Sequence, residues 1–230
     1  MKIIFVRHGH PNYVENCLTE LGKIQAAAAA EALKNEPITA AYSSPFGRAK
    51  ETCDYIVEGR NLDITILDFM RELNWKYLDG REVLANPWHT ADALIEKGVI
   101  LNDDDWSKYD CFNESALGDS VKEVQENLDI WLESLGYKRE GDYYRATSEN
   151  NDTLLLTSHG GSSTAAIAHL LNIPFLALCS IFRPQFTSIT VIDFHGKQGS
   201  LFVPRIEVLN NFDHIKGIED SSANKQVTFK

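Results

Sequence analysis

The sequence lacks long apolar segments, and no uninterrupted hydrophobic run approaches the roughly 20 residues that span a membrane. The apolar run after Lys2 is also too short for a signal peptide, and no small-residue cleavage site follows it. Cysteine is scarce, with four among 230 residues and no Cys-x-x-Cys pair. Scattered cysteines fit free thiols in a reducing compartment and offer no clustered ligands for structural zinc. These absences predict a cytoplasmic protein with no membrane partner.

Positive charge is also in short supply, because 22 lysine and arginine residues face 33 aspartate and glutamate residues and give a formal net charge of −11. Nucleic acids and anionic membranes recruit basic surfaces, so neither is an expected partner. Any site for an anion must then be a local group of cations in an acidic protein. The hydrophobic content of 43% is typical of a globular chain, and 230 residues can build a substantial core.

The start of the chain carries a cation and an imidazole directly after an apolar run. Residues 3–6 (Ile-Ile-Phe-Val) are typical of a strand buried on both faces, and the run stops at Arg7-His8-Gly9. Ligands of open α/β sheets bind outside the carboxyl ends of the strands. The pattern predicts an anion site with a nucleophilic or acid/base histidine, and the alternative is a basic turn after a first strand.

Three further predicted strand ends carry reactive side chains. They are Arg48 after residues 40–43, Glu72 after residues 62–67, and His159 after residues 153–157. Gly160-Gly161 follows His159 at a predicted helix start, where backbone N–H groups and the helix dipole favour an anion. Carboxyl ends of parallel strands lie at one edge of a sheet, so we expect these side chains to gather beside Arg7 and His8.

Helical patterns alternate with these strands. The predicted helices begin at Thr19, at Ser44-Pro45, at Asp119-Ser120 (ending at Gly136) and after His159. Residues 137–152 are polar and predict a loop, whereas residues 188–194 and 201–208 predict a final pair of strands.

This alternation predicts an α/β three-layer sandwich, with a mainly parallel sheet and helices on both faces. We expect a single domain over residues 1–216 and a flexible tail over residues 217–230. Residues 80–118, weakly patterned and rich in acidic and aromatic side chains, predict a helical excursion that forms a lid over the site.

Two arginines, two histidines and one carboxylate suit the handling of a phosphate ester. Guanidinium groups match phosphate oxygens, a neutral imidazole can attack phosphorus, and a carboxylic acid can protonate the leaving oxygen. The sequence contains no P-loop and no run of carboxylates for two metal ions. A His8 and His10 metal pair is the weaker alternative, because the nearby arginines repel a cation.

The same segments resemble, in order, the motifs of the histidine phosphatase superfamily, the phosphoglycerate mutase-like proteins. Arg7-His8-Gly9 is similar to the family signature. The other matching blocks are residues 18–26, 43–52, 71–80 (Arg71-Glu72-Leu73 through Asp79-Gly80), 118–120, 158–161 and 210–215. The ordered set extends from residue 2 to residue 215 and is far more specific than a lone Arg-His-Gly.

The resemblance implies a metal-independent phosphatase that needs no cofactor, forms a phosphohistidine and acts on a small phosphorylated metabolite. The implied roles are His8 as nucleophile, Glu72 as proton donor, Arg7, Arg48 and His159 as ligands of the phosphoryl oxygens, and Gly160 as a backbone N–H donor.

Some positions depart from the family pattern. His10 stands where Glu or Gln is usual and is either a substrate contact or a rim residue, and Lys76 stands where Gly is common. Asn16 and Asn12 are the candidates for the family's phosphate-binding asparagine, and we expect His214 to have a packing role.

Two alternative functions remain open from the sequence. The first is mutase-type phosphoryl transfer, although the segment between Gly80 and Gly118 carries only Arg81, Lys97 and Lys108 as cations. The second is a non-catalytic module that binds phosphorylated ligands. No feature indicates an oligomeric state.

Overall fold

Six strands form the central sheet of the protein, and helices cover both of its faces. The computed structural model describes residues 1–76, 86–102, 109–112 and 115–218. The Asp79-Gly80 motif, much of the predicted excursion and most of the predicted tail lie outside these residues. The strands are β1 Lys2–Arg7, β2 Pro11–Asn12, β3 Cys17–Leu18, β4 Ala40–Ser43, β5 Ile64–Ile66, β6 Tyr137–Glu140, β7 Tyr143–Ala146, β8 Thr153–Ser158, β9 Ile189–Asp193, β10 Leu201–Phe202 and β11 Arg205–Asn211. The helices are α1 Glu20–Ala32, α2 Gly47–Val57, α3 Pro87–Glu96, α4 Leu117–Ser134, α5 Gly160–Leu171 and α6 Phe175–Ile181.

The sheet is mixed and mostly parallel, as the sequence predicts. Its strand order is β11-β9-β1-β8-β4-β5, with β1, β8, β4 and β5 parallel to one another and β9 antiparallel to both β1 and β11. Arg7 pairs with Ser158, and Ser43 pairs with Thr157. Because these strands end at the same level, the residues that follow them emerge side by side at one edge of the sheet.

The side chains of each buried strand alternate between two hydrophobic cores. In β1, Ile3 and Phe5 join one hydrophobic cluster while Ile4 and Val6 join the other. Successive side chains of a strand point to opposite faces, so an unbroken apolar run requires cover on both sides. α4 and α5 contribute to the first cluster, and α1 and α2 contribute to the second. The three-layer sandwich follows from this double burial.

Thr19 caps α1 as predicted, because its Oγ1 accepts a hydrogen bond from the Gly22 N–H at 3.1 Å. The predicted N-cap of α4, at Asp119, was wrong by three residues. Ala116 is the N-cap, and Asp119 lies inside the first turn, where its charge favours the helix dipole. Ser120 has a tertiary contact, since its Oγ accepts from the Asn74 N–H at 3.0 Å.

The prediction of a loop over residues 137–152 was also wrong, because β6 and β7 form a hairpin that turns at Gly141 with φ +61°. Tyr137 and Tyr144 are fully buried and pack against Phe194. Because the residues between these two tyrosines are mostly polar, the sequence pattern does not indicate that the tyrosine side chains are buried. The predicted last strand, residues 201–208, divides between two sheets. β10 pairs with β7, whereas β11 pairs with β9 in the central sheet.

Within the described residues, no single helix is long and apolar enough to cross a membrane. α5 and α6 reach that length and composition only as a pair bent by 115°. α6 was not predicted from the sequence. It packs against α3, the helix in the described part of the predicted excursion, and the Trp88 indole N–H donates to the Phe182 carbonyl at 2.8 Å.

Asp129 connects the hairpin to two helices. Its Oδ1 accepts from the Tyr144 hydroxyl at 2.8 Å, and its Oδ2 lies 2.9 Å from His169 Nε2 near the end of α5. Arg139 adds a hydrogen bond to the Tyr144 hydroxyl at 3.0 Å. Buried polar groups that lose a partner keep their desolvation cost, so this carboxylate is a key element of the hairpin's docking.

We expect Asp129→Ala to lower the free energy of unfolding by about 1–3 kcal/mol, because the buried Tyr144 hydroxyl loses its acceptor. For a chain of this size each kcal/mol lowers the melting temperature by about 2–4 °C, which thermal unfolding can measure. Asp54→Ala is the matched control, since Asp54 pairs with Lys50 at an exposed position and its loss should cost less than about 1 kcal/mol. Equal effects of the two changes would contradict the argument.

Candidate active site

The residues that follow the central strands meet at the carboxyl edge of the sheet. The His8 and His159 rings lie edge to face with centroids 5.0 Å apart, and Arg48 Nε is 3.3 Å from His8 Nε2. His8 is 1% exposed, His159 is 0% exposed and Arg48 is 6% exposed. Polar side chains this deeply buried indicate a functional site, since charged and imidazole groups are otherwise rarely fully buried.

The partners of His8 define its tautomer. Its Nδ1 lies 2.7 Å from the carbonyl oxygen of Gly9, which can only accept, so Nδ1 carries the proton. Nε2 then holds a lone pair, and Arg48 Nε–H donates to it. Burial lowers the pKa of His8 well below 6.5, and the charge of Arg7 lowers it further. His8 is therefore a neutral imidazole with a nucleophilic Nε2.

His159 is hydrogen-bonded to Ser44, a residue that the sequence analysis names only as a helix start. Ser44 Oγ lies 2.7 Å from His159 Nε2 and already accepts from the Phe46 N–H at 3.2 Å. We assign the Ser44 hydroxyl as the donor to Nε2, which places the His159 proton on Nδ1, the ring nitrogen without a partner among the described residues. Burial is the main cause that lowers the pKa of His159 well below 6.5, so the ring is neutral.

Two buried nitrogens near His8 have no hydrogen-bond partner among the described residues, namely Arg7 Nε and His159 Nδ1. An unsatisfied buried donor costs about 1–3 kcal/mol, and such groups persist in native proteins where function requires them. Both are N–H donors beside a nucleophilic nitrogen. This combination is suited to an oxyanion that has several oxygens.

Asn16 positions Arg48. Its Oδ1 accepts from Arg48 Nη1 at 2.9 Å, and its backbone adopts a left-handed φ of +54°. Gly47 permits this approach, because a Cβ there would lie 2.3 Å from the Asn16 carbonyl oxygen. Asn12, the other candidate asparagine, instead accepts from the backbone N–H groups of residues 14 and 15 in its own turn.

Glu72 reaches the N-terminus of α5. Its Oε1 accepts from the backbone N–H groups of Leu73 and Gly161 at 3.0 Å each and from that of Ser162 at 3.3 Å. A Cβ on Gly161 would lie 2.5 Å from this oxygen, so the approach requires glycine. Burial raises the pKa of Glu72 above 4.5 even though these donors, Arg7 and Arg48 oppose the rise. The carboxyl group thus keeps its proton to higher pH than usual.

Gly160 and His10 have different relations to this centre. A Cβ on Gly160 would lie 3.7 Å from Arg7 Nε, so this glycine borders the unpartnered donor. His10 Nδ1 lies 2.9 Å from Thr19 Oγ1, and its ring packs edge to face against Phe186 at 5.4 Å. His8 and His10 thus engage different partners, which does not favour a shared metal ion.

Several residues that contact the site were missed by sequence reasoning, and Tyr13 is one of them, since its ring lies 5.3 Å from Arg48 Cζ. Ser44 and Phe46 fall inside the matched block 43–52, so the motif itself could have indicated them, and Phe46 packs against both His159 and Arg48. Phe186 contacts Arg7 and His8 from a loop without any motif. No signal in the sequence indicates it.

An α/β sandwich that gathers two histidines, two arginines and a carboxyl group at the end of its first strand defines the histidine phosphatase class of enzymes. The sequence matches the model of the "Histidine phosphatase superfamily (branch 1)" over residues 3–205, and the chain belongs to this family. The resemblance and the α/β fold class inferred from the sequence are thereby confirmed.

The names of the relatives include those of phosphatases and of a probable mutase. Phosphoserine phosphatase of Entamoeba histolytica, solved in complex with 3-phosphoglyceric acid, is 22% identical with a TM-score of 0.63, over 93% of this chain and 98% of that one. Alpha-ribazole phosphatase of Shigella flexneri is 19% identical with a TM-score of 0.62, over 92% and 97% of the two chains. A Shigella boydii protein named "Probable phosphoglycerate mutase GpmB" is 24% identical over 206 residues, which cover 81% of this chain and 85% of the relative.

Proposed function

We propose that this protein is a phosphatase that hydrolyses small phosphomonoesters through a phosphohistidine on His8. The observation that carries the proposal is the pair of unpartnered buried donors, Arg7 Nε and His159 Nδ1, beside the neutral Nε2 of His8. A phosphoryl group bound there would satisfy both donors and present phosphorus to the lone pair. The expected partner is a small phosphorylated metabolite, and the complex of the Entamoeba relative with 3-phosphoglyceric acid supports this class of ligand.

The first chemical step transfers the phosphoryl group. His8 Nε2 attacks phosphorus, the bond from phosphorus to the ester oxygen breaks, and Glu72 gives its proton to that oxygen. Arg7, Arg48 and His159 stabilise the charge on the phosphoryl oxygens, while the Gly160 N–H adds a donor at the start of α5. The alcohol leaves, and the Glu72 carboxylate remains.

The second step releases phosphate. The Glu72 carboxylate accepts a proton from water, the water oxygen attacks phosphorus, and the bond from phosphorus to Nε2 breaks. His8 regains its lone pair, and Glu72 is again protonated. The raised pKa of Glu72 supports both of its roles, since the carboxyl group holds its proton to higher pH than usual and its carboxylate is a stronger base than usual.

Mutase-type transfer is the second candidate, favoured by the relative named as a mutase. The two functions differ in what accepts the phosphoryl group from His8. Purified protein should hydrolyse members of a panel of phosphorylated metabolites and should not interconvert 2- and 3-phosphoglycerate. Interconversion that exceeds hydrolysis would reverse the proposal, and phosphate binding without turnover would favour the non-catalytic module.

Ser44→Ala should lower kcat/KM about tenfold, because His159 loses the donor that keeps its proton on Nδ1. Nitrogen-15 NMR of the His159 ring should report a change of tautomer. Ser43→Ala is the matched control, since Ser43 is equally buried and its hydroxyl donates to the Ser44 carbonyl oxygen. An unchanged His159 spectrum in the Ser44 variant would refute the assignment.

A further inference from the structure

Arg7 is held by a loop distant in sequence, residues 183–188, here called the support loop. Arg7 Nη1 donates to the carbonyl oxygen of Pro184 at 2.7 Å, and its Cζ lies 4.2 Å from the centroid of the Phe186 ring. The Arg7 backbone N–H donates to the Ser188 carbonyl at 3.3 Å. The guanidinium is thus held at one end and across one face, and its buried Nε has no hydrogen-bond partner among the described residues.

The backbone of the support loop is strained at Thr187, and contacts with residues outside the loop hold it in this conformation. Thr187 has a φ of +54° and is fully buried. A β-branched residue in the left-handed region is strained, and such strain persists where neighbouring contacts impose it. Thr187 N–H points to the His8 carbonyl at 3.4 Å, and its Oγ1 lies 3.1 Å from His214 Nε2.

Asn210 holds the same loop with both atoms of its amide. Its Oδ1 accepts from the Gln185 N–H at 3.0 Å, and its Nδ2 donates to the Arg183 carbonyl at 3.0 Å. The Asn210 backbone is itself left-handed, with a φ of +50°. Asparagine tolerates this conformation better than most residues, so it can supply both hydrogen bonds from that position. Asn210 and His214 belong to the matched block 210–215, for which the sequence predicts only packing.

We propose that Asn210 and His214 are positioning residues that act through the support loop to hold Arg7 in the geometry that binds phosphate. The inference rests on the proposed role of Arg7 as a phosphate ligand. The C-terminal motif fixes a strained loop, the loop fixes the guanidinium, and the guanidinium presents Nε to the site. The C-terminal motif therefore contributes to anion binding through Arg7, without contacting the anion itself.

Asn210→Gly tests this chain of contacts, because glycine keeps the left-handed backbone and removes both hydrogen bonds to the loop. We expect the affinity for inorganic phosphate and the kcat/KM for p-nitrophenyl phosphate to fall about 10- to 100-fold, as small misplacements of a binding group do. The same change introduced into Arg7→Ala should cost less than about twofold, since residues that act through one group are not additive.

Phe186→Leu provides a second variant that leaves the hydrogen bonds of the loop intact. The loss of phosphate affinity in Phe186→Leu should likewise be small when Arg7 is already replaced by alanine. Phe186→Tyr should restore phosphate binding, because the aromatic ring remains under the guanidinium. His169→Asn is the matched control for His214→Asn, since both histidines are hydrogen-bonded but His169 partners Asp129 near the far end of α5. The control should lower stability without an Arg7-dependent loss of phosphate affinity.

Losses of equal size in the wild-type and Arg7→Ala backgrounds would overturn the inference, and so would unchanged phosphate binding in Asn210→Gly and Phe186→Leu. Calorimetry with inorganic phosphate needs no turnover. The support loop is thus testable even if no phosphomonoester is hydrolysed, and the failure of the proposed function would be distinguishable from the failure of this inference.

Discussion

His8→Ala should abolish phosphatase activity, with a loss on the order of 10,000-fold or more, because it removes the Nε2 lone pair that attacks phosphorus in the proposed mechanism. Two contacts define the nucleophilic atom. The Gly9 carbonyl keeps the proton on Nδ1, and Arg48 Nε–H donates a hydrogen bond to the lone pair on Nε2. The measurement is turnover of p-nitrophenyl phosphate, combined with mass spectrometry of rapidly quenched protein to detect the phosphorylated histidine.

His195→Ala is the control for this prediction, because His195 is exposed and lies beyond the end of β9. The His8 variant should keep its fold and bind inorganic phosphate through Arg7, Arg48 and His159. Activity close to wild type in His8→Ala, or a phosphohistidine that still forms in that variant, would remove His8 as the nucleophile.

Glu72→Gln should slow the chemical step by about 100- to 10,000-fold, the usual range for the loss of a general acid. Glutamine retains an oxygen that can accept from the Leu73, Gly161 and Ser162 N–H groups, so the local structure should survive. The loss should be largest for alkyl phosphates, whose leaving alkoxide needs the proton, and smaller for p-nitrophenyl phosphate, whose leaving group is stable without it.

The pH profile provides an independent test of the Glu72 role. Burial raises the pKa of Glu72, so the acid form that donates the proton persists to higher pH, and the rate should fall as pH rises through this raised value. Burial lowers the pKa of His8 below 6.5, so the nucleophile stays neutral as pH falls below that value. The optimum should therefore be acidic to near neutral. The alkaline fall should disappear in Glu72→Gln, and a wild-type rate that keeps rising at alkaline pH would contradict the assignment.

Local patterns were sufficient where one segment fixes its own structure. The apolar runs of β1 and β8 have no stable arrangement except burial on both faces, and the Thr19 cap acts within its own helix turn. The hairpin of β6 and β7 was not predictable in this way, because its stability comes from Tyr137 and Tyr144 packing against strands that are distant in sequence.

The sequence by itself determined the α/β class, the family and the residue types of the site, because strand-end chemistry and ordered motifs are written in short segments. Only the tertiary structure decided which atoms act. The tautomers of His8 and His159, the raised pKa of Glu72 and the supports of Arg7 depend on partners such as Ser44 and Phe186 that folding brings close. Burial and hydrogen bonds are properties of the assembled site, and no single segment of the chain contains them.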